Sequence, residues 1–199
     1  MDRGGADPLC LRVRAGHPRA SGAAVPPGAL SGHIGRVFAR KARWFWPVSA
    51  TLVLADCSTK ELVESVLRSQ PGPRAVLGDW LRLTLVFNTG AALNLDLGSW
   101  SRIVFSVLAS IAIILLFRLY QRTAPNAALR AAALALVAGG ALGNLLDRIR
   151  SPLGVVDFID IGVGDTRFWV FNVADVGVTV GAVLLAIVLW QGDRLENVT

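Results

Sequence analysis

Hydrophobic positions fall into four long runs, Trp44 to Leu62, Ser101 to Tyr120, Ala127 to Leu146 and Trp169 to Trp190. Each is close to the ~20 residues that a helix needs to cross a bilayer, so the pattern predicts four transmembrane helices. The second run carries no charge between Ile103 and Phe117. The first is the least regular: Asp56 interrupts it, and Lys60 and Glu61 follow. Those charges must reach the interface or be buried against neighbouring helices.

A different texture separates the first two runs. Leu81-Arg82-Leu83-Thr84-Leu85 alternates apolar and polar residues between Gly78-Asp79 and Gly90, as a half-buried strand does. A second strand-like run, Val155 to Ile161, follows Ser151-Pro152 and Gly154 and is placed on the same platform. Thr123-Ala124-Pro125-Asn126 is the turn between the second and third helices. The predicted fold is an α-helical membrane protein of four transmembrane helices with a small extramembrane β-cradle, centred on residues 75–97. The membrane domain spans residues 44–191, between a tail of residues 1–43 and a short one of residues 192–199.

Composition agrees: 53% hydrophobic residues, 17% charged and a mean hydropathy of +0.53 exclude an ordinary soluble domain. Much of the net charge of +6 lies at one end, where residues 1–43 hold eight Lys and Arg against two Asp. That segment reads as a disordered basic tail. Nucleic-acid binding is not expected, because the tail lacks interleaved aromatics and a folded module. The tail, the 118–130 loop and the C-terminus share twelve Lys and Arg, against eight on the opposite side. Both termini are therefore expected in the cytoplasm, with the Asp-rich loops facing outward. Gly139-x-x-x-Gly143 and Gly177-x-x-x-Gly181 predict close packing of the third and fourth helices.

Candidate chemistry is confined to carboxylates. His17 and His33 both lie in the tail, and Cys10 and Cys57 have no metal-ligand spacing, so no metal or cofactor is expected. Asn144, Asp147 and Arg148 share one face of the third helix, and Asn172 and Asp175 repeat a three-residue spacing at the start of the fourth. Asp157 arrives from the intervening loop, and chain geometry allows it to meet Asp175. Two close carboxyls share a proton, so one can activate water while the other donates to the substrate. Chemistry alone leaves this dyad level with a structural or ion-pathway role for the same aspartates. Asp147 beside Arg148 reads as an interfacial ion pair, and Asp56 with Lys60 as an i,i+4 pair neutralising itself at the membrane edge. Asp79, Asp96, Asp160 and Asp165 read as solvated loop residues.

Five blocks decide between these readings. They are Asp56-Cys57-Ser58-Thr59-Lys60, Phe87-Asn88-Thr89-Gly90-Ala91-Ala92, Gly143-Asn144-Leu145-Leu146-Asp147-Arg148, Val155-Val156-Asp157-Phe158 and Phe171-Asn172-Val173-Ala174-Asp175. In this order they resemble the lipoprotein signal peptidases, or signal peptidase II, aspartyl proteases of the bacterial cytoplasmic (inner) membrane. The resemblance, over about residues 45 to 190, implies cleavage of prolipoproteins immediately before a diacylglyceryl-modified cysteine. It implies that Asp157 and Asp175 are catalytic. It also implies that Asp56, Lys60, Asn88, Gly90, Asn144, Asp147, Arg148, Asn172 and Ala174 line or support the site, Arg148 by holding the loop that bears Asp157. Membrane lipids and globomycin-like cyclic peptide inhibitors are the other implied partners. Leu93 and Asn94 depart from the usual Phe and Ser of the family, and Cys57 from a common Gln.

The rivals are a catalytically inactive homologue or a non-enzymatic membrane protein that binds lipoproteins, and a proton-coupled carrier, which usually shows internal repeats and charges near the midplane. Another takes Leu54-Ala55-Asp56-Cys57 as a lipobox, against which stand the Asp before the cysteine and three later apolar runs.

Overall fold

The computed structural model describes residues 27–69, 71–90 and 98–196. Most of the expected basic tail lies outside the described residues, as do Leu93, Asn94 and Asp96. Four helices, α1 (Pro27–Ser69), α2 (Ser101–Arg122), α3 (Ala128–Arg150) and α4 (Val173–Glu196), combine with strands β1 (Arg74–Leu77), β2 (Leu81–Asn88), β3 (Val155–Val163) and β4 (Thr166–Arg167). Helix α1 is longer than its apolar run and includes residues 27–43 of the expected tail.

Among the described residues three helices are long and apolar enough to cross a membrane: α2, α3 and residues 173–191 of α4. Helix α1 is not among them, because its apolar stretch is flanked by Arg40, Lys41 and Arg43 on one side and by Asp56, Lys60, Glu61 and Glu64 on the other. Ile103, Val107, Leu108, Ile111, Ile114 and Leu115 of α2 are all exposed. So long an apolar face belongs against lipid rather than water.

The two strand-like runs meet as expected. The sheet is antiparallel in the order β1-β2-β3-β4, and β2 pairs with β3 from Leu81 opposite Ile161 to Asn88 opposite Val155. β1 and β4 are too short to show a period in the sequence. The apolar face of the sheet packs on the end of α1, where Val63, Leu67 and Phe158 form a buried cluster with Leu83, Leu85 and Val173. At the other end of the bundle Phe45 stacks on Tyr120 and packs with Leu134, Ala135 and Ala138.

Helix α3 is central, packed against α1, α2 and α4. The predicted closeness of α3 and α4 holds, but the glycine pairs divide differently. A Cβ at Gly139 or Gly143 would press on Ser49 or Asp56 of α1, and one at Gly177 on Leu52 of α1. The α3–α4 approach falls to Gly140, against the Ala174 carbonyl, and to Gly181, against Ala133. With 3.6 residues per turn, neighbours in sequence face different partners, so a helix between two others needs two small-residue stripes.

Candidate active site

The site forms where α1, the end of α3 and the start of α4 meet β2 and β3. At its base Lys60 is 2% exposed and Asp56 is fully buried. The Lys60 ammonium has three protons and no acceptor, and it finds three oxygens: Asp56 Oδ2 at 2.7 Å, Asp147 Oδ2 at 2.8 Å and Asn144 Oδ1 at 3.0 Å. The expected Asp56–Lys60 pair therefore exists, but as an interior network rather than a self-neutralising pair at the membrane edge. The expected Asp147–Arg148 pair is replaced by Asp147–Lys60, because adjacent residues on a helix do not face each other.

This base orients the amides above it. Since Lys60 can only donate, the oxygen of Asn144 must face it, and the Asn144 Nδ2 then donates to Asp175 Oδ1 at 2.8 Å. Asn172 precedes the first residue of α4, and Asp175 is its third. The Asn172 Oδ1 accepts the Asp175 N–H at 3.0 Å, and Asp175 Oδ2 accepts the Asn172 N–H at 3.1 Å. This reciprocal pair is a capping box, so the Asn-x-x-Asp spacing starts the helix and aims both side chains together. The Asn172 Nδ2 donates to Asp157 Oδ1 at 2.6 Å and to Asn144 Oδ1 at 3.1 Å.

Asp157 reaches this point through strand register. Asn88 lies opposite Val155 and Val86 opposite Asp157, so Asn88 and Asp157 are diagonal neighbours on one face. Asn88 Nδ2 donates to Asp157 Oδ2 at 2.9 Å, while its Oδ1 accepts the Gly90 N–H at 2.8 Å. Gly90 has φ +128°, and a Cβ there would enter the ring of Phe105. A side chain at this position is excluded on both counts. Phe171, bridged to Ile159 of β3, holds the start of α4 beside the strand.

Burial is the main influence on Asp157, which is 3% exposed. It pushes the carboxyl up to about 6, reinforced by the Asp175 charge and opposed by Asn88, Asn172 and Lys60. Both aspartates line one cavity of about 480 Å³, walled otherwise by Asn88, residues 168–171, and Val176, Thr179 and Val180 of α4. A neighbouring cavity of about 220 Å³ shares Asn88, Asp157, Trp169 and Val170 and extends along the end of β2. The size, the apolar walls and the few converging polar groups are those of a ligand site.

Most of the residues singled out in the sequence thus share one hydrogen-bonded network: Asp56, Lys60, Asn88, Asn144, Asp147, Asp157, Asn172, Ala174 and Asp175, with Gly90 holding Asn88. Ala174 takes part through its N–H, which donates to Asp56 Oδ1 at 2.9 Å. Arg148 makes no side-chain hydrogen bond to this network, donating instead to the Asn144 carbonyl at 3.0 Å and lying over the Phe105 ring, but its charge lies near enough to interact with Asp157, Asp175 and Asp147. The tether expected from Arg148 to the Asp157 loop comes from Asp147 instead, whose Oδ2 accepts the Val156 N–H at 3.2 Å. Asp160 is no solvated loop residue: it is buried in β3, bonded to Arg167 at 2.7 Å and Thr84 at 2.8 Å. Those partners outweigh its burial and hold its carboxyl below the usual range. Asp79 pairs with Arg82, while Asp165 is exposed as expected. The cavity residues Thr179 and Val180 were not anticipated; their spacing of four and five from Asp175 along α4 was the available signal. Among the described residues no group of three His, Cys, Asp or Glu side chains could hold a metal ion.

Comparison with known proteins agrees with this geometry. The family model described as signal peptidase (SPase) II matches residues 48–191. The lipoprotein signal peptidase of Pseudomonas putida is 36% identical over 175 residues, covering 86% of this chain and 97% of that protein. That of Salmonella typhi is 39% identical over 148 residues, covering 73% and 86%. A solved bacterial membrane enzyme, obtained by the in meso method, superposes with a TM-score of 0.64 at 29% identity, covering 72% of this chain and 85% of that one. The chain belongs to the signal peptidase II family of membrane peptidases. A non-enzymatic role is correspondingly not favoured.

Proposed function

We propose that this chain removes signal peptides from prolipoproteins, cutting immediately before the diacylglyceryl-modified cysteine, with Asp157 and Asp175 as its catalytic carboxylates. The observation that carries this reading is that both aspartates face one cavity while amide donors hold them from behind. Asp157, raised to about 6 by burial, acts as the acid in the fraction of molecules that carries its proton. Asp175, in the first turn of α4, acts as the base. Asp175 takes a proton from water as the water attacks the scissile carbonyl, and Asp157 gives its proton to the carbonyl oxygen. Asp175 then returns a proton to the leaving nitrogen as the bond breaks, and Asp157 takes back a proton from the collapsing gem-diol as the new carboxyl forms.

The apolar wall of α4 receives the lipid-bearing end of the substrate. The groove beside β2 holds the signal peptide extended, so binding remote from the scissile bond orients it. Globomycin-like cyclic peptides would occupy the same cavity, wedged between the aspartates.

Four membrane crossings are supported by the course of α1. Its Lys41 bonds to Thr123 beside the α2–α3 turn, while its Leu67 packs on Phe158 of the sheet. Those 26 residues cover ~39 Å of helix, more than the ~30 Å of hydrocarbon. The charge distribution then puts both termini in the cytoplasm and the site at the outer face of the inner membrane.

The test is cleavage of a diacylglyceryl-modified prolipoprotein by purified protein in detergent. Asp157→Asn and Asp175→Asn should each lose at least ~10²–10⁴-fold in rate while keeping the parent's elution profile and helicity. Turnover near the parent's rate in either variant would overturn the dyad.

A further inference from the structure

At the end of the bundle remote from the aspartates, two cavities adjoin. The larger, about 440 Å³, is a groove along α1 from Arg43 to Ala55, closed on its far side by Leu136 of α3. The smaller, about 270 Å³, lies between Arg40 and Arg43 of α1 and Asn126 of the α2–α3 turn. Arg43 and Trp44 line both, so the space is continuous from a basic mouth into an apolar channel. The channel spans ~18 Å of helix, close to the ~15 Å depth of hydrocarbon in one leaflet.

Among the described residues the mouth lacks counter-charge. Its described lining contains no carboxylate, and neither the Arg40 nor the Arg43 side chain has an ion pair or hydrogen bond among the described residues. Pro47, also on the groove, has no N–H and cannot bond the Arg43 carbonyl four residues back. Two arginines above an apolar channel suit a phosphodiester that carries an acyl chain. A free phosphate would leave the channel unfilled, and a zwitterionic headgroup would bring its own cation to the arginines.

We propose that this site binds one anionic phospholipid, with its phosphodiester between Arg40 and Arg43 and an acyl chain along α1. The bound lipid fastens α1, the helix least able to hold itself in the bilayer by hydrophobicity. The proposal is independent of the chemistry assigned to Asp157 and Asp175.

Native mass spectrometry of the delipidated full chain tests it, titrating phosphatidylglycerol, phosphatidylcholine and inorganic phosphate in parallel. The parent should bind phosphatidylglycerol more tightly than phosphatidylcholine, and inorganic phosphate only weakly. Arg40→Gln and Arg43→Gln should each weaken phosphatidylglycerol about fivefold and leave phosphatidylcholine unchanged. Ala55→Trp, which fills the channel, should weaken both lipids. Prolipoprotein cleavage in detergent should persist in all three variants, which shows that they are folded. Equal affinity of the parent for the two lipids, unchanged phosphatidylglycerol binding in the arginine variants, or phosphate bound as tightly as phosphatidylglycerol would overturn the proposal.

Discussion

Asp157 couples the chemistry of the site to folding. Its carboxyl, raised from 3.8 to about 6 mainly by burial, costs the folded state about 3 kcal/mol when ionised. The sign follows from proton counts: between about pH 4 and pH 6 the folded chain binds more protons than the unfolded one. This residue's contribution to stability therefore falls as pH rises through that window and stays low above it. Asp157→Asn removes the ionisation but sets one amide donor against another, at Asn88 or Asn172. The net gain at pH 7.5 should be about 1–2 kcal/mol, seen as a higher melting temperature in detergent, with little or no gain at pH 4. An equal effect at both pH values would mean that desolvation of the carboxylate is not what the site bears. Asn88 offers a second handle, because its amide lowers the Asp157 pKa. In Asn88→Ala the alkaline fall of kcat/KM should move to higher pH if Asp157 holds the shared proton. A limb that does not move would assign the proton to Asp175.

Among elements, what the sequence revealed depended on how far a signal had to reach. Period-two alternation marked β2, a short apolar run after Ser-Pro and Gly marked β3, and uninterrupted apolar runs marked α2 and α4, because those signals are local. The Lys60 network was half legible: Asp56 lies one turn away on the same helix, whereas Asp147 and Asn144 come from α3, and no spacing within the chain announces that meeting. Removing the cation should expose its importance. Lys60→Met leaves Asp56 and Asp147 buried and unpaired and should destabilise the fold by about 3–5 kcal/mol, read as a fall in melting temperature. Adding Asp56→Asn should restore part of the loss, and no recovery would argue against an electrostatic origin. Lys41 went unnoticed for a similar reason. In the sequence it is one more basic residue before a helix, yet it is 3% exposed and donates to the Tyr120, Gln121 and Thr123 carbonyls at 3.0, 2.8 and 2.8 Å. It thus satisfies the end of α2 from another helix. Lys41→Met should cost about 1.5–3 kcal/mol without altering the cleavage rate of the folded fraction.

At the scale of the molecule, topology is constrained by contacts that cross-link distant loops. β2 follows α1 and β3 follows α3, yet they form one sheet, so the α1–α2 and α3–α4 connections lie on one side of the membrane. The Thr123–Asn126 turn lies at the opposite end of α2 and α3. What remains is whether α1 crosses as well, since its composition alone does not mark it as a span. Its charges do not count against crossing in the usual way: Asp56 and Lys60 face α3 and α4 rather than lipid, and Lys41 is neutralised by carbonyl dipoles at the far end. A hydropathy window registers these charges but not the neighbours that bury them. Reporter fusions distinguish the alternatives by parity. With four crossings, a fluorescent reporter that matures only in the cytoplasm should light up when fused after Thr199 and when inserted at Pro125. A phosphatase active only outside the cytoplasm should work at Gly78 and Gly164, the two turns of the sheet. An N-terminal fusion decides the matter: fluorescence there puts both termini in the cytoplasm, whereas a dark N-terminus beside a fluorescent C-terminus would leave α1 outside the bilayer.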